Sequence, residues 1–116
     1  MSITVVRAES LPWSNIAHEF VGDDHGVSIT FLVVEVGAGR GPALHTDPYD
    51  EVIVVLEGEA TLDDGIETRI VGRGDLAVIP AGQPHAFTNT GDTPLRQIDI
   101  HASPRFVTEW LEQRRA

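Results

Sequence analysis

Short apolar or alternating runs, broken by Gly, Pro, Asn and Asp, recur along most of this chain. The pattern predicts strands over 27–36, 51–57, 60–62, 66–71, 76–79, 84–89 and 94–101. Asp63-Asp64-Gly65 sits between two β-prone runs as a hairpin turn. Gly37 to Pro42 and Pro80 to Pro84 turn the chain at two other points. Upstream, Ile3 to Val6 reads as a short strand suited to pairing with another subunit. Leu11 to Phe20 is less regular, with Trp13 and Phe20 as anchors, either filling gaps outside a sheet or forming a lid. On the last strand Gln97, Asp99 and His101 alternate with Arg96, Ile98 and Ile100. The apolar set predicts the inward face, and the polar set a solvated one; the alternative is a polar pocket in which His101 supports the site or touches a substrate. Ser103-Pro104 then predicts a short C-terminal helix over 104–115, with Ser as N-cap and Pro at the first position. Phe106, Val107, Trp110 and Leu111 form its stripe, which would dock on the barrel or on a partner subunit.

Nine or so short strands and a terminal helix predict an all-β barrel. At 116 residues the chain reads as one domain, 1–116, with its barrel core over 27–101. Cysteine is absent, which excludes disulfides, thiolate metal sites and a cysteine nucleophile. The basic residues are all arginine, and a net charge of −10 repels phosphate backbones, so no nucleic-acid partner is expected. The N-terminus has no signal-peptide pattern and Val52 to Leu56 is far too short to span a bilayer. A soluble, cytoplasmic protein without a membrane partner is the expectation.

The candidate chemistry is concentrated in two stretches. His45 and Asp47 are two apart and share a face of an extended chain, while Glu51 opens the next run on the same face as residues 53, 55 and 57. Imidazoles and carboxylates are the usual oxygen and nitrogen ligands of Zn, Fe, Mn and Ni. Gly74 to Asn89 supplies a further histidine, His85. In these two stretches the sequence resembles the cupin family of small, jelly-roll-like β-barrels. Gly39, His45, Asp47, Glu51 and Gly58 fall at the spacings of the motif G-x5-H-x-H-x3-4-E-x6-G, with Asp47 in place of the second histidine. Gly74, Pro80, Gly82, His85 and Asn89 match every position of G-x5-P-x-G-x2-H-x3-N.

The resemblance implies one divalent metal ion (Fe, Mn, Zn or Ni) held at His45, Asp47, Glu51 and His85, and a homodimer. Asp47 either gives an oxygen ligand, making a harder site, or only caps the turn before Pro48. Phe87 is expected to wall the pocket and Tyr49 to touch a substrate. His18 and His25 lie outside both motifs and are expected to be exposed or locally bonded. Two functional readings follow. One is a metal-dependent oxygenase or isomerase acting on a small oxygen-containing or aromatic molecule. The other is a module that holds a small ligand or metal without turnover. A third, blander possibility is a metal that only ties two strands together.

Overall fold

A computed structural model describes residues 2–112 of the chain. The described residues form ten strands: β1 (Ala17–Phe20), β2 (Thr30–Val36), β3 (His45–Thr46), β4 (Glu51–Glu57), β5 (Glu59–Asp63), β6 (Thr68–Gly72), β7 (Leu76–Ile79), β8 (Ala86–Asn89), β9 (Leu95–His101) and β10 (Glu109–Trp110). One antiparallel sheet has the order β1-β2-β9-β4-β7, a second β6-β5-β8, and β10 pairs with β3. The β5–β6 hairpin turns at Asp63–Glu67, where Asp63 and Asp64 carboxylates accept main-chain N–H groups. This is the local chemistry that makes Asp-rich segments turn.

The inner faces change character along each strand. Glu51, Ile53 and Val55 follow one another on β4, and His101, Asp99, Gln97 and Leu95 on β9; all seven are buried. The register sets Glu51 beside His101, Ile53 beside Asp99 and Val55 beside Gln97. One end of the barrel is therefore an apolar core of Val34, Val36, Ile53, Val55, Phe87 and Leu95. The opposite end collects polar and titratable groups. Hydrophobic burial at the first end holds the strands that position the second.

Two sequence expectations need correction. The polar face of β9 points inward: Gln97, Asp99 and His101 are buried while Arg96 is exposed. β9 lies between β2 and β4, and its inner face lines a polar chamber, so hydropathy alone assigns it the wrong side. No helix forms over the described part of 104–115. The Ser103 hydroxyl bonds within a turn, to Arg105 N and O, and residues 106–110 run extended to form β10. The β-branched pair Val107-Thr108 and contacts across the barrel mouth outweigh the propensity of so short a helix; positions 113–115 of the expected helix lie outside the described residues. Ile3 to Val6 forms no strand within this chain and is exposed. The irregular segment also contains a strand, β1, hydrogen-bonded to β2. Phe20 stacks on Phe31 with ring centroids 4.5 Å apart, and the half-exposed Trp13 leans on His18 at 4.9 Å.

Candidate metal centre

Five side chains from five places in the sequence meet at the polar end. His45 comes from β3, Asp47 from the turn after it, Glu51 from the first residue of β4, His85 from the residue before β8, and His101 from the end of β9. Main-chain bonds between His45 and His85, in both directions at 3.0 and 2.9 Å, fix the two imidazoles side by side. That pairing requires close backbone approach upstream: a Cβ on Gly41 would lie 1.8 Å from the Phe87 carbonyl oxygen, so only glycine fits there.

His85 Nε2 stands 3.1 Å from Glu51 Oε1 and 3.5 Å from Asp47 Oδ2; His45 Nε2 lies 4.0 Å from Asp47 Oδ2, and His101 Nε2 3.6 Å from Glu51 Oε1. Donor atoms of His45, Asp47 and His85 lie within 4.8 Å of one another, and so do those of Asp47, Glu51 and His101. Donors about 2.1 Å from a single ion stand about 3.0 Å apart when adjacent and about 4.2 Å when opposite. The measured pairs, 3.1 to 4.0 Å apart, fit that range, and the two groups share Asp47.

The far ring nitrogens are anchored. His45 Nδ1–H donates to the Ala43 carbonyl at 2.7 Å and His85 Nδ1–H to that of Gln83 at 2.8 Å. Such bonds fix the tautomer and aim Nε2 at the centre, as in histidine metal ligands generally. Asp47 accepts the Thr108 hydroxyl at Oδ1, 2.9 Å away, and its Oδ2 is buried without a hydrogen-bond partner. His101 Nε2 is likewise buried and unpartnered. Two orphaned polar atoms facing one point are costly in a closed protein interior. A cation at that point satisfies both, so the residues fit a divalent ion.

Charges in the cluster are strongly interdependent. Burial pushes the Asp47 carboxyl up, against the Thr108 hydrogen bond. Glu51 is also buried, but the His85 hydrogen bond and the electrostatic attraction of the neighbouring imidazoles outweigh burial and hold it low. For His85 burial favours the neutral ring, yet the Glu51 hydrogen bond and charge win and raise it. Both His85 nitrogens face acceptors, which favours the imidazolium when no metal is bound. Burial lowers His45 and His101, keeping them neutral as ligands must be. Asp99, fully buried and accepting from Gln97 Nε2 at 2.7 Å, is pushed well up by burial and then by the nearby Glu51 charge. Burial therefore favours its protonated form.

A cavity of about 610 Å³ opens onto the cluster. His45, Glu51, His85, Asp99 and His101 line its polar part, with Leu32 and Phe87 as apolar wall. The tail supplies the rest: Phe106, Thr108 and Trp110 alternate toward the cavity. Phe106 meets His101 edge-on at 5.2 Å and Trp110 tilts over His45 at 5.0 Å. The strap is tied down where Asp23 N–H donates to the Pro104 carbonyl and Leu111 N–H to that of Leu44. Sequence reasoning missed it because its stripe fits helical spacing as well as alternation.

The structure thus brings His45, Asp47, Glu51 and His85 together, and Phe87 onto the cavity wall. Tyr49 is not among the lining residues; its hydroxyl bonds His101 Nδ1 at 2.8 Å behind the cluster. Asp50 turns away to accept from Ala81 N–H. His18 is locally bonded to the Leu11 carbonyl, and the exposed His25 stacks on Phe20.

Fold and cluster together define a small β-barrel with a buried histidine-carboxylate centre at one end. The family model described as cupin domain matches residues 30–101, and the chain belongs to that family. An uncharacterized Streptomyces coelicolor protein is 28% identical over 81 residues, covering 70% of this chain and 74% of its own length. A Klebsiella pneumoniae protein described as a conserved protein with a double-stranded beta-helix domain superimposes with TM-score 0.74 at 20% identity, over 97% of this chain and 100% of that one. The oxalate decarboxylase of Lactobacillus farciminis, solved as a formate complex, matches with TM-score 0.64 at 27% identity over 72% of this chain. That of Bacillus subtilis, whose structure is described by its Mn(II) centres, matches with TM-score 0.63 at 24% identity over the same share. This chain spans only 27% and 24% of those two enzymes. No described helix is long and apolar enough to cross a membrane.

Proposed function

We propose that the chain is a metal-dependent enzyme, an oxygenase or isomerase, that takes a small oxygen-containing molecule into the cavity beside one divalent ion. His45, Asp47, Glu51 and His85 would hold that ion. The observation that carries this reading is the convergence of buried donors, two of them anchored imidazoles, on the wall of a cavity of about 610 Å³. Cavities of roughly 300–1,000 Å³ take small-molecule ligands, and a metal that only ties strands together needs no such space. When bound, a divalent ion supplies Lewis-acid polarisation of a substrate oxygen or a redox centre. The protein groups do the rest. Phe87, Phe106 and Trp110 exclude water, Asp99 holds a proton at the cavity wall, and Tyr49 stays a neutral phenol, pushed up to about 12 by burial.

Mn is the first metal to test, since the similar Bacillus subtilis barrel is described by Mn(II) centres. A homodimer is part of the proposal; Leu76 and Val78 on β7 and Ile70 on β6 leave apolar side chains exposed outside the barrel. The test is metal analysis of protein purified without chelator, followed by oxygen-uptake and isomerisation assays on small diketones, catechols and hydroxy acids. One ion per chain and turnover that stops in His85→Ala support the proposal. Tight ligand binding without turnover on any of them favours the non-catalytic binding module.

A further inference from the structure

His101 lies outside both cupin motifs, yet it stands in the centre. It is 4% exposed, its Nε2 has no hydrogen-bond partner, and that atom sits within 4.8 Å of the Asp47 and Glu51 donors. Its separation from Glu51 Oε1, 3.6 Å, is too long for a hydrogen bond but suits two ligands of one ion. Its other nitrogen is placed as in the two motif histidines, 2.8 Å from an oxygen, here the Tyr49 hydroxyl. With Nδ1–H donating to that oxygen, the Nε2 lone pair is directed at the cluster. The chain lacks a histidine at position 47, where the motif has one, and carries this extra one across the chamber on β9.

We infer that His101 is the third imidazole ligand of the centre, supplying from β9 the nitrogen that Asp47 cannot. This rests on the metal-centre reading above. The ligand set is then His45, His85, His101, Asp47 and Glu51. Two carboxylates balance the charge of a divalent ion, and five protein donors leave one position of a six-coordinate shell. A small molecule would bind there through a single atom rather than as a chelate.

The test is NMR of 15N-histidine-labelled protein titrated with Zn(II), together with calorimetric Zn(II) affinities of wild type and His101→Gln. The expected result is one Zn per chain, with the Nε2 signals of His45, His85 and His101 all moving to metal-bound positions. His101→Gln should lose about tenfold or more in affinity. Zn bound with His101 Nε2 unmoved overturns the inference while leaving the metal centre intact, even if the variant binds less tightly. Two Zn per chain also overturns it, because the two donor groups would then be separate sites. Failure of wild type to bind Zn, Mn or Fe overturns the metal-centre reading and this inference with it. The wild-type spectra decide the matter even if His101→Gln does not fold.

Discussion

Thr108 donates its hydroxyl hydrogen to Asp47 Oδ1 across 2.9 Å, joining the C-terminal strap to the residue that replaces a motif histidine. The bond holds Asp47 with its other oxygen, the unpartnered Oδ2, toward the imidazoles. Strap and centre are therefore one unit.

Thr108→Val keeps the shape of this side chain and removes the donor. A hydrogen bond to a charged group contributes about 1.5–3 kcal/mol, so the variant should melt several degrees lower and bind metal more weakly. Calorimetry of the metal-free and metal-loaded forms checks this. Unchanged stability and affinity would mean that the strap does not support Asp47.

His85→Ala should abolish metal uptake, and Asp47→Ala should lower affinity by about tenfold or more. His85 faces the Gln83 carbonyl through Nδ1 and Glu51 through Nε2, an arrangement that favours a proton on Nε2 in the metal-free protein and raises its pKa. Metal must displace that proton, so binding should weaken as pH falls through the His85 titration and release a proton on the acid side. Titrations in buffers of different ionisation enthalpy measure the proton. Equal metal content in wild type and His85→Ala would refute the ligand assignment.

Asp99 gives a pH signature in the metal-free protein. Its folded pKa is raised above the unfolded value, so the folded state binds the extra proton. The associated stability is present below about pH 4 and is lost as pH rises. Asp99→Asn has a similar shape and no charge to bury. Its melting temperature should match wild type in acid and exceed it by a few degrees at pH 8. A constant difference across that range would contradict the neutral-acid assignment.

Trp110 is a built-in reporter, with its ring centroid 5.0 Å from that of His45. In a Trp13→Phe background it is the sole tryptophan. A paramagnetic ion such as Cu(II) bound at the centre should quench most of its fluorescence, and His85→Ala should remove the effect. Quenching that survives His85→Ala would place the ion elsewhere.

Much of this was legible in the chain. Fixed spacings from Gly39 to Asn89 carry the family, and alternation places β4 and β7 at the bounds expected for them. What hydropathy could not show is which side of β9 faces inward. Gln97, Asp99 and His101 look like a solvated face until β2 and β4 enclose them against Thr30 and Glu51. The only available signal was a strand whose polar residues are all able to bond or ligate. The strap was hidden for a different reason. Phe106, Val107, Trp110 and Leu111 fit a helical stripe while Phe106, Thr108 and Trp110 fit strand alternation, and the choice depends on partners far away in sequence, His45 and Asp47.

The most direct measurement is a crystal structure of Mn(II)-soaked protein with anomalous data collected at the manganese edge. The account predicts one anomalous peak within about 2.0–2.3 Å of His45 Nε2, His85 Nε2 and a Glu51 oxygen. No peak there under saturating Mn(II), or a peak held only by surface carboxylates, would contradict it.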